Sequence, residues 1–130
     1  MATTIAPGNW SNDAIWDTTA PGDGEVAVIN HAVAVDTNTT IGDSPAAAND
    51  VVTVNYSSGG VLTINTDVTL TLRGDMQLFS AGVIDDAPLV MEDGSTLTFD
   101  ASQATDPTNQ NYRVWWGLSD GDFSYVFING

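Results

Sequence analysis

Apolar residues recur at every second position through much of the chain. Val33 and Val35 flank Ala34, Val52 and Val54 flank Thr53, Leu62 and Ile64 flank Thr63, and Leu97 and Phe99 flank Thr98. Val68, Leu70 and Leu72 alternate with Thr69 and Thr71, and Val26 and Val28 with Ala27 and Ile29. A period of two sends successive side chains to opposite faces of an extended strand. Most segments therefore have one apolar face and one face, rich in Thr, that tolerates water. Between the segments lie turn formers: Pro21-Gly22-Asp23-Gly24, Asn30-His31, Gly42-Asp43-Ser44-Pro45, Ser58-Gly59-Gly60, Asn65-Thr66-Asp67, Arg73-Gly74-Asp75 and Asp93-Gly94-Ser95. Strand starts return about every 7 to 12 residues, a spacing shared by sandwiches, barrels and solenoids. The one helix-tolerant stretch runs from Ser44 to Asp50, with Ser44 as N-cap and Pro45 at the first helical position.

The expected fold is all-β. Gly60-Val61-Leu62-Thr63-Ile64 and Gly94-Ser95-Thr96-Leu97-Thr98-Phe99 share a glycine-led alternating strand without a strict period. An irregular solenoid with coils of roughly twenty residues accounts for this best, and a jelly roll or other β-sandwich is the alternative. One domain is expected, in three zones. Residues 1–25 are a loop-rich start carrying Trp10 and Trp16. Residues 26–100 are the strand body. Residues 101–130 are a polar connector followed by aromatic strands.

Charge narrows the partners. Seventeen Asp and Glu stand against two Arg and no Lys, a formal net charge of -15. Without a basic patch, the chain has no footprint for a nucleic-acid backbone, and an anionic membrane surface would repel it. Binding to cations or to a basic protein stays open. With no Cys there is no disulfide framework, Cys-based zinc site or thiol nucleophile. The opening MATTIAPGNW has neither the basic region nor the apolar core of a signal peptide.

The segments Trp10-Ser11-Asn12-Asp13-Ala14-Ile15-Trp16, Ala20 to Ile29 and Val33-Ala34-Val35-Asp36 together resemble the opening of a G-eight domain. The shared pattern is two tryptophans, a Pro-Gly-Asp turn, a valine strand, a turn, and a second strand ending in Asp. Gly59 to Ile64 and Leu70 to Gly74 resemble that family's glycine-led strands. The likeness spans roughly residues 8–100. It implies a short right-handed parallel β-helix, of the kind found in phage structural proteins and surface proteins, and no shared catalytic residues. The family has glycine in the first turn, where this chain has Asn30-His31-Ala32. Asn tolerates a left-handed backbone, so such a turn survives.

Carboxylates are dense at Asp85-Asp86, Glu92-Asp93 and Asp120-Gly121-Asp122. Glycoside hydrolysis needs a carboxylate pair across a cleft, and neighbouring Asp residues on a strand face opposite ways. No catalytic residue is expected. Asp120 and Asp122, two hard-oxygen ligands around a glycine, are the candidates for calcium; the alternative is a solvated turn. His31, the one histidine, reads as a turn residue, and Arg73-Gly74-Asp75 as a plain turn. Asn9, Asn38 and Asn55 open glycosylation sequons, which matter only in a eukaryotic secretory pathway.

The aromatics are the most informative candidates. Trp10 and Trp16 would cap the end of the core, since the terminal coil of a solenoid exposes an apolar rung. Tyr112, Trp115, Trp116, Phe123, Tyr125 and Phe127 would form a second cap, a docking surface, or a platform for stacking on sugar rings. The leading functional expectation is a non-enzymatic virion protein at the particle surface, an acidic phage capsid-decoration or tail-associated module. It would assemble with itself, a trimer being one arrangement, and with other virion proteins such as the major capsid protein. The alternative is a carbohydrate-binding or adhesin module of a larger extracellular surface protein.

Overall fold

The computed structural model describes residues 1–42, 51–79 and 88–100, and the backbone of residues 50, 113–117 and 123–127. The strands are β1 (Ala2–Thr3), β2 (Gly8–Asn9), β3 (Ala27–Ile29), β4 (Ala32–Val35), β5 (Thr39–Gly42), β6 (Asp50–Asn55), β7 (Val61–Ile64), β8 (Thr69–Arg73), β9 (Asp75–Phe79), β10 (Leu89–Met91), β11 (Thr96–Phe99), β12 (Arg113–Gly117) and β13 (Phe123–Phe127). They form three sheets. The first runs β1-β3-β6-β9-β12-β13, the second β10-β7-β4-β2, and the third β11-β8-β5.

Each circuit of the chain adds one strand to each sheet: β3-β4-β5, then β6-β7-β8, then β9-β10-β11. The protein is a β-solenoid of about three turns. All pairings between these strands are parallel except β12 with β13. That excludes the sandwich alternative, which is built from antiparallel sheets. The solenoid also begins before residue 26, because β1 already pairs with β3 and β2 with β4. The helix-tolerant stretch at 44–50 lies outside the described residues, apart from Asp50, which opens β6.

Register stacks like on like. In the first sheet Ala27, Val52 and Met76 form one buried row, and Ile29, Val54 and Leu78 the next. In the third sheet Ile41, Leu72 and Phe99 stack inward. The intervening Thr40, Thr71 and Thr98 are in register on the outer face. Alternation thus becomes a core because identical phases stack coil on coil.

Polar columns pin the corners. Thr4 Oγ1 accepts from the Asn30 N–H at 2.8 Å, and Asn55 Nδ2 donates to Asn30 Oδ1 at 2.8 Å. This column holds the Asn30-His31 turn without a left-handed residue: among the described non-glycine residues, only Asp67 has positive φ. At the end of the third sheet, Arg73 reaches Asp23 on one side and Asp100 on the other. Gly42, at φ 107°, lies in register with Arg73. A Cβ there would stand 2.8 Å from the Arg73 carbonyl oxygen.

Candidate functional site

The two ends of the solenoid are built differently. At the N-terminal end the chain folds back over its first strand. Thr4 and Trp16 form an antiparallel bridge. The Asp17 N–H donates to Thr3 O at 2.9 Å, and the Ile5 N–H to Ile15 O at 2.7 Å. Trp10 and Trp16 pack edge to face with centroids 5.0 Å apart. Buried indole N–H groups need acceptors: Trp10 donates to Pro21 O and Trp16 to Trp10 O, both at 2.9 Å. Gly8, at the foot of the Val33–Leu62–Leu89 row, leaves room for Ile15, whose Cγ2 a Cβ would meet at 2.8 Å. These contacts cover the first two sheets at this end, while the third ends at β5 with the Asp23–Gly42 bridge beyond it.

At the C-terminal end, among the described residues, only the first sheet continues past the third coil, as β12. Its residues Val114, Trp115 and Trp116 are in register with Met76, Gln77 and Leu78. β13 then returns antiparallel, with Trp115 opposite Tyr125 and Gly117 opposite Phe123. The topology thus brings Trp115, Trp116, Phe123, Tyr125 and Phe127 onto two adjacent strands at one end. Their side chains lie outside the described residues, as does Tyr112 altogether. In the other two sheets, β10 and β11 have no strand beyond them among the described residues.

One core row measures the contrast. The Trp10 N–H donates to Ala34 O, which continues the β2–β4 pairing and sets Trp10 beside Val35, below Ile64 and Met91. Relative exposure along the row is 2% for Trp10, 0% for Val35, 0% for Ile64 and 47% for Met91. The neighbouring Val90 is 39% exposed. Exposed Glu92 and Asp93 follow directly in the turn. Sequence reasoning passed over this edge. The run Leu89-Val90-Met91 gives no local signal of it, since β3 (Ala27–Ile29) and β4 (Ala32–Val35) are apolar throughout as well.

The carboxylates with described partners mostly serve the scaffold. Asp36 accepts from the Ser11 N–H at 3.0 Å and the Ser11 hydroxyl at 2.5 Å. Asp13 accepts from the Ala20 N–H, Asp17 from Thr3 and Glu25 from Gly22. Partial burial alone would raise the Asp36 carboxyl. The hydrogen bonds from Ser11, with one from its own backbone N–H, outweigh that and hold it below the ordinary 3.8.

The remaining sequence candidates are placed as follows. His31 Nδ1 lies 3.0 Å from Thr4 Oγ1, beside the Asn column. Arg73-Gly74-Asp75 joins β8 to β9 with Arg73 ion-paired and Asp75 buried, so it is not a displayed loop. Asn38 Oδ1 accepts from the Thr69 N–H and Asn55 bonds Asn30, so two sequon asparagines brace neighbouring coils. The calcium candidates Asp120 and Asp122 lie outside the described residues, as do Asp85 and Asp86. Among the described residues no group of three His, Asp or Glu is placed to hold a metal ion. Comparison with family models, with curated proteins and with solved structures gives no match.

Proposed function

We propose that this chain is a non-enzymatic structural module, an acidic β-solenoid that joins a larger assembly through its C-terminal end. The observation that carries the reading is the difference between the ends, summed up in the row from buried Trp10 to half-exposed Met91. A closed end stops strand addition, whereas an open parallel edge invites it. The polar chemistry supports the same reading, since Asp13, Asp17, Glu25, Asp36 and Arg73 hold turns and coils together.

The setting we propose is the outer surface of a virion, as a capsid-decoration or tail-associated module contacting other virion proteins. A chain of net charge -15 is repelled by packaged nucleic acid, and without Cys its stability does not depend on redox state. The likeness of its opening strands to a G-eight domain belongs to this proposal.

Purified particles from the source phage or host, analysed by mass spectrometry, test the reading. The expected outcome is the chain at a fixed ratio to the capsid or tail proteins, released only when particles are dismantled. A chain absent from particles, or one that turns over polyuronides or hyaluronan, overturns it. Glycan-array binding lost in Trp115→Ala and Trp116→Ala would replace it with the carbohydrate-binding reading.

A further inference from the structure

We infer that the outward edge of β10 is a strand-addition site for an extended, cationic segment of a partner protein. The inference rests on the structural-module reading and names the chemistry of the partner.

The Leu62 N–H donates to Pro88 O at 2.8 Å and the Glu92 N–H donates to Ile64 O at 3.0 Å. In a parallel pair, alternate residues turn their N–H and C=O toward the same neighbour. Pro88, Val90 and Glu92 therefore serve β7. Leu89 and Met91 direct their backbone groups the other way, where no described strand lies. Among the described residues nothing pairs with them, so they form a sheet edge, the feature that β-strand addition uses.

Side chains set the partner's pattern. Leu89 caps the Val33–Leu62 row and is partly buried, and Met91 caps the Val35–Ile64 row with 47% of its surface exposed. A strand laid on β10 in the solenoid's register puts one apolar residue over each. Both rows then gain the cover that the next coil gives to Leu62 and Ile64 below. Glu92 and Asp93 follow at once and are exposed. The matching segment therefore alternates apolar residues and ends in Lys or Arg beside this turn.

Charge also selects against a second copy of this chain. A head-to-tail copy would have to pair with β2, which is two residues long and has Ile15 packed against Gly8. Two copies joined at their C-terminal ends would bring the exposed Glu92 and Asp93 of both to one shared edge. Each copy would also carry a net charge of -15, so the two chains repel one another as they approach.

The test is residue-resolved NMR on the full chain, with two synthetic probes: a short peptide alternating Val with Lys, and its counterpart alternating Val with Glu. In the free protein the Val90 amide should exchange slowly and the Leu89 and Met91 amides fast. The Val/Lys peptide should shift and protect Leu89 and Met91, and bind about tenfold tighter than the Val/Glu peptide, the gap narrowing with salt. Met91→Pro removes an outward N–H and should abolish the response. Glu92→Lys with Asp93→Lys changes only exposed residues and should reverse the peptide preference.

No response at residues 89–91, or equal response to both peptides, overturns the inference. Leu89 and Met91 amides already protected in the free chain overturn it too. Sedimentation then assigns the cover to a second copy if the chain is a dimer, and to the chain itself if it is a monomer. Particle association that survives Met91→Pro refutes this edge alone. Absence of the chain from particles refutes the module reading instead.

Discussion

At the scale of single residues, the fold is held where one coil hands a hydrogen bond or charge to the next. Asp36 closes the first coil onto the opening half-turn through Ser11. Its carboxyl ionises more readily folded than unfolded, so the unfolded chain binds more protons as the group titrates. Stability from this contact is complete above 3.8 and is lost as pH falls through the depressed folded value. Ser11→Ala should lower the thermal midpoint at neutral pH, and its difference from wild type should shrink in acid; thermal melts across a pH series show whether the two curves converge. Gly42 is needed for a different reason. It pairs a left-handed φ with an in-register neighbour whose carbonyl oxygen would stand 2.8 Å from an added Cβ, and backbone cannot swing aside as a side chain can. Gly42→Ala should therefore destabilise by about 2 kcal/mol or more, read from urea unfolding, whereas Gly22→Ala, with open space around it, should change little.

At the scale of strands and coils, the energetics follow position along a row. Ile64 and Met91 occupy the same row one coil apart, with one fully buried and the other half-exposed. Ile64→Ala should cost about 2–5 kcal/mol, the range for a buried aliphatic side chain. Met91→Ala should cost clearly less, because water already reaches that side chain. Trp10→Ala should cost about 3–5 kcal/mol, losing its own contacts and the edge-to-face partner of Trp16. Chemical denaturation of the three variants gives the order Trp10 and Ile64 above Met91, and a Met91 cost equal to Ile64 would mean the C-terminal end is covered. This scale also shows what the sequence could reveal. Strands such as Val52-Thr53-Val54 were legible because the period of two belongs to one strand. Their parallel stacking was not, because sandwich strands alternate in the same way and only register distinguishes the two. The Thr4–Asn30–Asn55 column joins residues about 25 positions apart, so nothing local announces it. Asn30 therefore read as a residue for a left-handed turn, while its side chain in fact braces the next coil. The β10 edge was not legible, because Leu89-Val90-Met91 reads like the apolar runs of β3 and β4, and its exposure follows from its place as the last described strand of the second sheet.

At the scale of the whole molecule, the dominant number is still the charge. Repulsion among 17 carboxylates, offset by two guanidinium groups, opposes the compact state and is greatest when little salt screens it. The scaffold meets this by placing carboxylates at turns, where Asp13, Asp17, Glu25 and Asp36 each accept a backbone N–H. Enough uncompensated charge remains to make stability depend on ionic strength. Moving from about 0.01 M to about 0.15 M salt shortens the screening length from about 30 Å to about 8 Å. The thermal midpoint should therefore rise over that range in NaCl, a salt chosen because sulfate would also strengthen apolar burial. The divalent comparison separates two origins of the effect. If the cations act only as a diffuse screen, calcium and magnesium chloride at equal ionic strength should give nearly equal midpoints. If Asp120 and Asp122 form a defined calcium site, calcium should stabilise beyond magnesium, with saturation at low concentration, and Asp120→Asn should remove the excess while leaving the sodium response intact. Calorimetry across the three salts decides between a charged scaffold that is merely screened and one that holds a specific ion.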